Sequence, residues 1–239
     1  MKPGYEQADE TFLDNPIWNS LASNHSSLAI GGASAKRYPA DIAGFAGFPN
    51  VAKPNWAELA KLMTVGESIV VPDVPLPEAS GFVSQITSGI SVQQYVFRAT
   101  TIDSLTDHNI CILNEIDVPD MMRLVEITHP GPFQSRTIRM GLYVGIRVDG
   151  DLIAMAGERL HPGRFCEISA VCTDPAFTKQ GYATQLVACL IARMLERDET
   201  PFLHVVPQNE QAIRVYKKMG FSWRMNRQLQ TVQFVGFDN

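Results

Sequence analysis

Residues 171–184 read VCTDPAFTKQGYAT. An apolar, β-branched segment ends, a short loop follows, and a helix-forming run starts at Gly181. The first N–H groups of a helix have no partners inside it, and they point outward along a dipole that is positive at that end. A glycine there lets a phosphate approach the backbone, so the stretch suits a pyrophosphate. An ordinary strand-to-helix turn would look similar. There is no GK[ST] triplet, so a Walker-type phosphate loop is excluded, and the full GxGxxG fingerprint is missing too.

Working outward, residues 165–173 form a strand, and residues 202–206 form another. Between them Ala183, Leu186, Val187, Leu190, Ile191, Met194 and Leu195 recur at three- and four-residue spacing, which predicts a long helix. A second helix over residues 208–219 carries Ala212, Val215, Tyr216 and Met219 on one stripe and stops at Gly220. Residues 221–223 and 229–235 are expected to close the sheet as a pair of strands. Upstream, residues 141–148 and 152–159 read as two strands joined at Asp149-Gly150, a tight hairpin signal because the turn needs positive φ. Residues 110–113 read as a strand and 118–127 as a helix. The order predicts an α/β (α+β) fold with a mixed, mostly antiparallel central sheet and flanking helices.

Residues 1–107 are less regular. Asn15-Pro16 reads as a helix start, Asn55 as a second helix cap, and residues 68–71 and 91–99 as strands. This half is expected to be a smaller N-terminal α/β domain (1–107), either a degenerate copy of the following domain (108–239) or a cap over an acceptor pocket. Its Lys36-Arg37 reads as a solvated pair.

Composition narrows the function. The 239 residues are 45% hydrophobic and 19% charged, with a net charge of −5. That balance gives no bulk attraction to nucleic acid or an anionic membrane. The acidic N-terminus is no signal peptide, and the longest apolar run falls far short of a membrane span. Cys111, Cys166, Cys172 and Cys189 form no CxxC pair and sit among apolar neighbours, which predicts reduced core cysteines and no metal site. These features point to the cytoplasm.

The second element of the pair is NEQAIRVYKKMGF, residues 209–221. With the first, in this order and spacing, it resembles the GNAT superfamily of acyl-CoA-dependent N-acyltransferases. GYA matches the end of that family's pyrophosphate loop, and Asn209, Ala212, Tyr216, Gly220 and Phe221 match its second cofactor motif. The resemblance covers residues 108–239. EISAVCTDP, GYA and PFLHV look most like the branch of glycine-N-acyltransferase-like bacterial proteins. Thr178 stands where the family has Arg or Gln, and Lys179 where it has glycine; a cradle of backbone N–H groups does not need that arginine.

The resemblance implies a GNAT fold in which the strands over 165–173 and 202–206 splay to admit the pantetheine arm of acetyl-CoA or another acyl-CoA. Val171, Cys172 and Thr173 would lie along that arm. Thr178, Lys179, Gln180, Gly181, Tyr182, Ala183 and Thr184 would hold the pyrophosphate, and Asn209 the arm from the other wall. Tyr216 matches the family's general acid, placed to protonate the departing thiolate; the bland alternative is a core aromatic. Glu167 is the candidate general base. Strand alternation puts it with Phe165 and Ser169, opposite Cys166, Ile168 and Ala170, on a wall that would raise its pKa. Its alternative is a structural carboxylate. His129 and His161 are further base candidates, each also readable as a loop histidine, and His204 reads as a half-buried strand residue. Glu126 and Arg136 flank the expected acceptor region.

The expected activity is N-acetyl transfer from CoA to a primary amine of a small molecule or amino acid, without a metal. A protein N-terminus is a second acceptor class. A non-catalytic acyl-CoA sensor is the competing function. The oligomeric state stays open, a homodimer being one arrangement.

Overall fold

The computed structural model describes residues 9–75, 89–102 and 110–236. The expected boundary at 107/108 lies outside the described residues.

A 3-10 turn over Glu10–Asp14 leads into α1 (Pro16–Ala22), whose first position is the expected proline. Asn15 stands at the cap but makes no capping hydrogen bond; its amide donates instead to the Phe48 carbonyl at 2.7 Å. A small antiparallel sheet follows, made of β1 (Ile30–Gly31), β2 (Lys36–Arg37) and β3 (Ala46–Gly47). Arg37 is not solvated: it is 2% exposed and paired with Glu67. The short α2 (Trp56–Ala60) is capped by Asn55, which accepts from the Glu58 N–H at 3.2 Å.

Next come β4 (Ser68–Pro72), β5 (Gly89–Phe97) and β6 (Ile110–Leu113), then α3 (Val118–Thr128). The strands β7 (Tyr143–Val148) and β8 (Asp151–Glu158) form the expected hairpin, with φ of 50° at Asp149 and 92° at Gly150. β9 (Phe165–Thr173) leads through a turn into α4 (Tyr182–Glu196), then β10 (Thr200–Val205), α5 (Glu210–Lys218) and β11 (Phe221–Gln233). The expected closing pair of strands is thus one 13-residue strand, bulged between Trp223 and Met225.

These strands make one eight-stranded sheet in the order β4-β11-β5-β10-β9-β8-β7-β6. All neighbours are antiparallel except β9 and β10, the pair that α4 connects. β11 does not fold back on itself, because its two edges are taken by β4 and β5. Two strands from the first 107 residues are therefore built into the main sheet, and β5 sits inside it between β10 and β11.

Packing follows the predicted stripes. Leu186, Val187, Leu190, Ile191 and Met194 of α4 are buried against Val144, Ile153, Ala156, Cys166 and Ile168 on one face. Burying each such side chain contributes roughly 2 kcal/mol. The other face carries α3 through Met121 and Leu124, and α1 through Ile17 and Leu21.

Candidate functional site

β9 and β10 begin as partners and then part. Their ladder runs from Thr200 opposite Phe165 to Phe202 opposite Glu167, and there it ends. β10 continues along β5 only, from Phe202 to Val205. β9 continues along β8, with one extra residue between Ser169 and Cys172. Ala170 supplies it, with φ of 52°. Such a bulge bends a strand and turns later side chains to the other face. Ala170 and Cys172 accordingly pack with Met121 and Leu124 under α3, while Cys166 and Ile168 stay under α4. Placing Ala170 with Cys166 and Ile168 by simple alternation is corrected by this bulge. The consequence is a slot between the strands, with the backbone of residues 169–173 along one side.

The slot opens into a cavity of about 450 Å³ at the start of α4. Val171, Cys172 and Thr173 line it from β9. Thr178, Lys179, Gln180, Gly181, Tyr182, Ala183 and Thr184 form its floor, and Asn209 and Tyr216 close it from α5. Phe177, Val187 and Gln211 join them, outside the residues the two motifs mark. Gly181 is the N-cap residue of α4, with φ of 84° and no side-chain cap. That φ, more than any lack of space, requires glycine: an added Cβ would meet nothing closer than Gln185 Nε2 at 3.6 Å. Lys179 also has positive φ, 64°, so the loop turns its backbone twice just before the helix. Asn209 spends its amide oxygen on capping α5, accepting from the Ala212 N–H at 3.1 Å, which leaves its amide nitrogen for a ligand. An uncapped helix N-terminus next to an unpaired strand edge fits an elongated ligand with a phosphate at one end and amides along its length.

Tyr216 lies where this cavity meets a second one, of about 500 Å³; Val171, Cys172, Thr173 and Asn209 line both as well. The Tyr216 ring packs edge-on against Phe221 at 5.9 Å, and burial pushes its phenol up to about 12. The second cavity is walled by Ile90 and Val92 of β5, Leu229 of β11, His204 of β10, Arg159, and the loop from Thr128 to Pro132.

Glu167 is not among the residues of either wall. It is fully buried, with Arg159 Nε donating to its Oε2 at 2.8 Å and Arg159 Nη2 to its Oε1 at 2.7 Å. His204 Nδ1 is 2.6 Å from the same Oε1. Burial alone would raise the Glu167 pKa, but Arg159 and His204 outweigh it and hold the group well below the usual carboxylate range. The raised pKa expected from an apolar wall is therefore reversed. The guanidinium, lying 5.3 Å over the Phe45 ring, supplies the charge that sequence spacing did not reveal.

His161 sits away from both cavities. Its Nε2 contacts Cys166 Sγ, and Glu158 lies 3.7 Å away. Glu158 already accepts from Arg197 at 2.6 Å and from the Leu142 N–H at 3.0 Å, so this trio is a buried polar network. Arg136 pairs with Asp41 at 2.7 Å. All four cysteines are free. Among the described residues no helix is long and apolar enough to cross a membrane.

Comparison with known proteins agrees with this architecture. A family model described as FR47-like protein matches residues 143–229, from β7 into β11. A solved structure from Novosphingobium aromaticivorans DSM 12444, assigned to the GNAT family of acetyltransferases, is 34% identical. It superposes with a TM-score of 0.83, over 95% of this chain and 99% of that one. A GCN5-related N-acetyltransferase from Kribbella flavida shares the fold at a TM-score of 0.56 and 14% identity, over 92% and 96% of the two chains. A GCN5-related N-acetyltransferase-like protein from Streptococcus suis 89/1591 does so at 0.56 and 12%, over 93% and 96%. No curated protein matches. The extent and identity of the Novosphingobium match place the chain in the GNAT family. It is an acyltransferase with the fold of the N-acetyltransferases.

Proposed function

We propose that the protein transfers an acetyl or short acyl group from CoA to the primary amine of a small molecule, by direct attack of the amine on the thioester. The observation that carries this reading is the meeting of two cavities at Tyr216. The first, with its helix N-terminus and unpaired β9 edge, holds the CoA arm: Gly181 to Thr184 face the pyrophosphate, Val171 to Thr173 the pantetheine, and Asn209 the far wall. The second holds the acceptor.

The described lining of the acceptor cavity contains no carboxylate, which a polycationic amine would need. Ile90, Val92, Leu229, Pro130 and Pro132 give it apolar walls. An amine on a neutral or anionic body, such as an amino acid, suits it better. The likeness of EISAVCTDP, GYA and PFLHV to glycine-N-acyltransferase-like proteins favours the same class. β5 brings Ile90 and Val92 from the first half of the chain, so that half shapes the acceptor pocket.

Tyr216 serves as the general acid. Its raised pKa keeps the phenol protonated at every physiological pH, ready to donate as the C–S bond breaks, although it widens the gap to a thiol near 8.5. Calorimetry with acetyl-CoA, followed by CoA release in the presence of single amino acids and polyamines, tests the reading. Tight binding with release driven by amino acids supports it. Absence of CoA release with every amine would leave the sensor function in its place.

A further inference from the structure

The ammonium form of an amine cannot attack a thioester, so the acceptor cavity needs a group that takes a proton. That group must face the cavity and have an unshared lone pair. Glu167 does not face it: the carboxylate lies fully buried behind the wall, held by Arg159. His204 faces the cavity, but both its nitrogens are engaged. Gln94 fixes how. Arg224 Nη1 donates to Gln94 Oε1 at 3.0 Å, so the Gln94 Nε2 group is the end turned to His204 Nε2 at 3.1 Å and to the Leu13 carbonyl at 3.3 Å. His204 Nε2 therefore accepts, and Nδ1 carries the hydrogen given to Glu167. In this arrangement both ring nitrogens are engaged and no lone pair faces the cavity. Burial pushes the Cys172 thiol up to about 11, and it packs into the apolar cluster under α3.

His129 is different. It lines the same cavity and is exposed, and its ring makes no hydrogen bond or ion pair among the described residues. Its backbone is unusual as well. It ends α3 in the left-handed conformation, φ 47° and ψ 55°, with its N–H donating to the Val125 carbonyl at 2.8 Å. Glycine is the common choice at such a helix end, and a β-carbon there costs about 1 kcal/mol. A histidine held in this conformation at the lining of the acceptor cavity, with an unpartnered imidazole, fits a functional side chain.

We infer that His129 is the general base of the acyl transfer, resting on the acceptor cavity assigned above. Its imidazole takes one proton from the acceptor ammonium and passes it to solvent. The freed amine nitrogen bonds to the thioester carbon. The C–S bond then breaks; Tyr216 gives its proton to the leaving sulfur and regains one from the new amide nitrogen. The amine enters as ammonium, one proton leaves on CoA and one goes to solvent.

His129→Gly is the decisive variant, because glycine prefers this φ and so protects the fold while opening an imidazole-sized space. Its acetyl-CoA affinity should equal wild type, while amine-dependent CoA release falls about 100-fold, the range of a positioned acid or base. Added imidazole should restore at least about tenfold of that loss and leave the wild-type rate unchanged. A variant within about threefold of wild type would overturn the assignment. So would a loss that imidazole does not repair, since simple packing damage would give the same loss. Wild-type protein that binds acetyl-CoA but releases no CoA with any amino acid or polyamine would instead overturn the transferase reading beneath it.

Discussion

His204 Nδ1 and Glu167 Oε1 lie 2.6 Å apart and join two strands at the point where they start to diverge. The last paired residues of β9 and β10 are Glu167 and Phe202, and the slot begins one step beyond them. The bond from β10 to β9, extended by Arg159, clamps the mouth of the slot at a fixed width. Glu167 is thus placed to hold the two strands together and lines neither cavity.

Removing that carboxylate should be costly. In Glu167→Gln the Arg159 guanidinium stays buried without an anion, and breaking a buried pair from one side typically costs about 3–5 kcal/mol. Urea denaturation should show a loss of this size. A loss below about 1 kcal/mol would mean that the Arg159 charge is satisfied elsewhere.

Acid should weaken the fold earlier than carboxylate titration alone would. His25 is 4% exposed, 2.9 Å from both the Tyr38 hydroxyl and the Met140 carbonyl. Burial first, and repulsion from His161 second, bring its pKa from 6.5 down to about 4. The folded value lies below the unfolded one, so the contribution is complete above pH 6.5 and lost as pH falls toward 4. It amounts to roughly 3 kcal/mol. Stability measured across that window should fall in wild type and be flatter in His25→Gln. An equal slope in both would contradict the assignment to His25.

Much of this was legible in the chain. The hairpin at Asp149-Gly150, the α4 stripe and the turn into α4 at Gly181 are local patterns, written within a few residues of where they act. All the residues expected at the CoA site do line one cavity, because the loop and the helix that follow β9 carry most of them. What the sequence hid is long-range or subtle. Nothing near residues 89–97 announces that this strand enters the sheet between β10 and β11. The bulge at Ala170 has no glycine to mark it. Arg159 and Glu167 meet only because the two strands pair, and His204 joins them from 37 residues away. His129 was visible as a histidine before Pro-Gly-Pro, but its freedom is clear only once its rivals are seen to be engaged.

The proposed phosphate loop gives a sharper test of cofactor binding. Gly181→Val places a β-branched side chain at φ 84°, a conformation that penalises any β-carbon by about 1–2 kcal/mol. The loop should relax away from the phosphates. Affinity for CoA should drop about tenfold or more, while affinity for pantetheine, which lacks the pyrophosphate, stays unchanged. Equal losses for both ligands would mean the whole slot had shifted.

Tyr216→Phe should keep the edge-on contact with Phe221 and so preserve stability. Turnover should fall about 100-fold with little change in acetyl-CoA affinity. Because burial pushes the wild-type phenol up to about 12, its ionisation should impose no loss of kcat between pH 8 and 10. A steep alkaline decline that disappears in Tyr216→Phe would contradict this.

On the proposed function, the two cavities meeting at Tyr216 are the acyl-donor and acceptor halves of one active site. Single-turnover CoA release tests it most directly, with acetyl-CoA preloaded and each amino acid added in turn. The expected result is a burst of free thiol, equal to the bound acetyl-CoA, that appears only with an amine and yields the N-acetyl product. Acetyl-CoA bound at full occupancy, with thiol release no faster in any amine than in buffer, would contradict it.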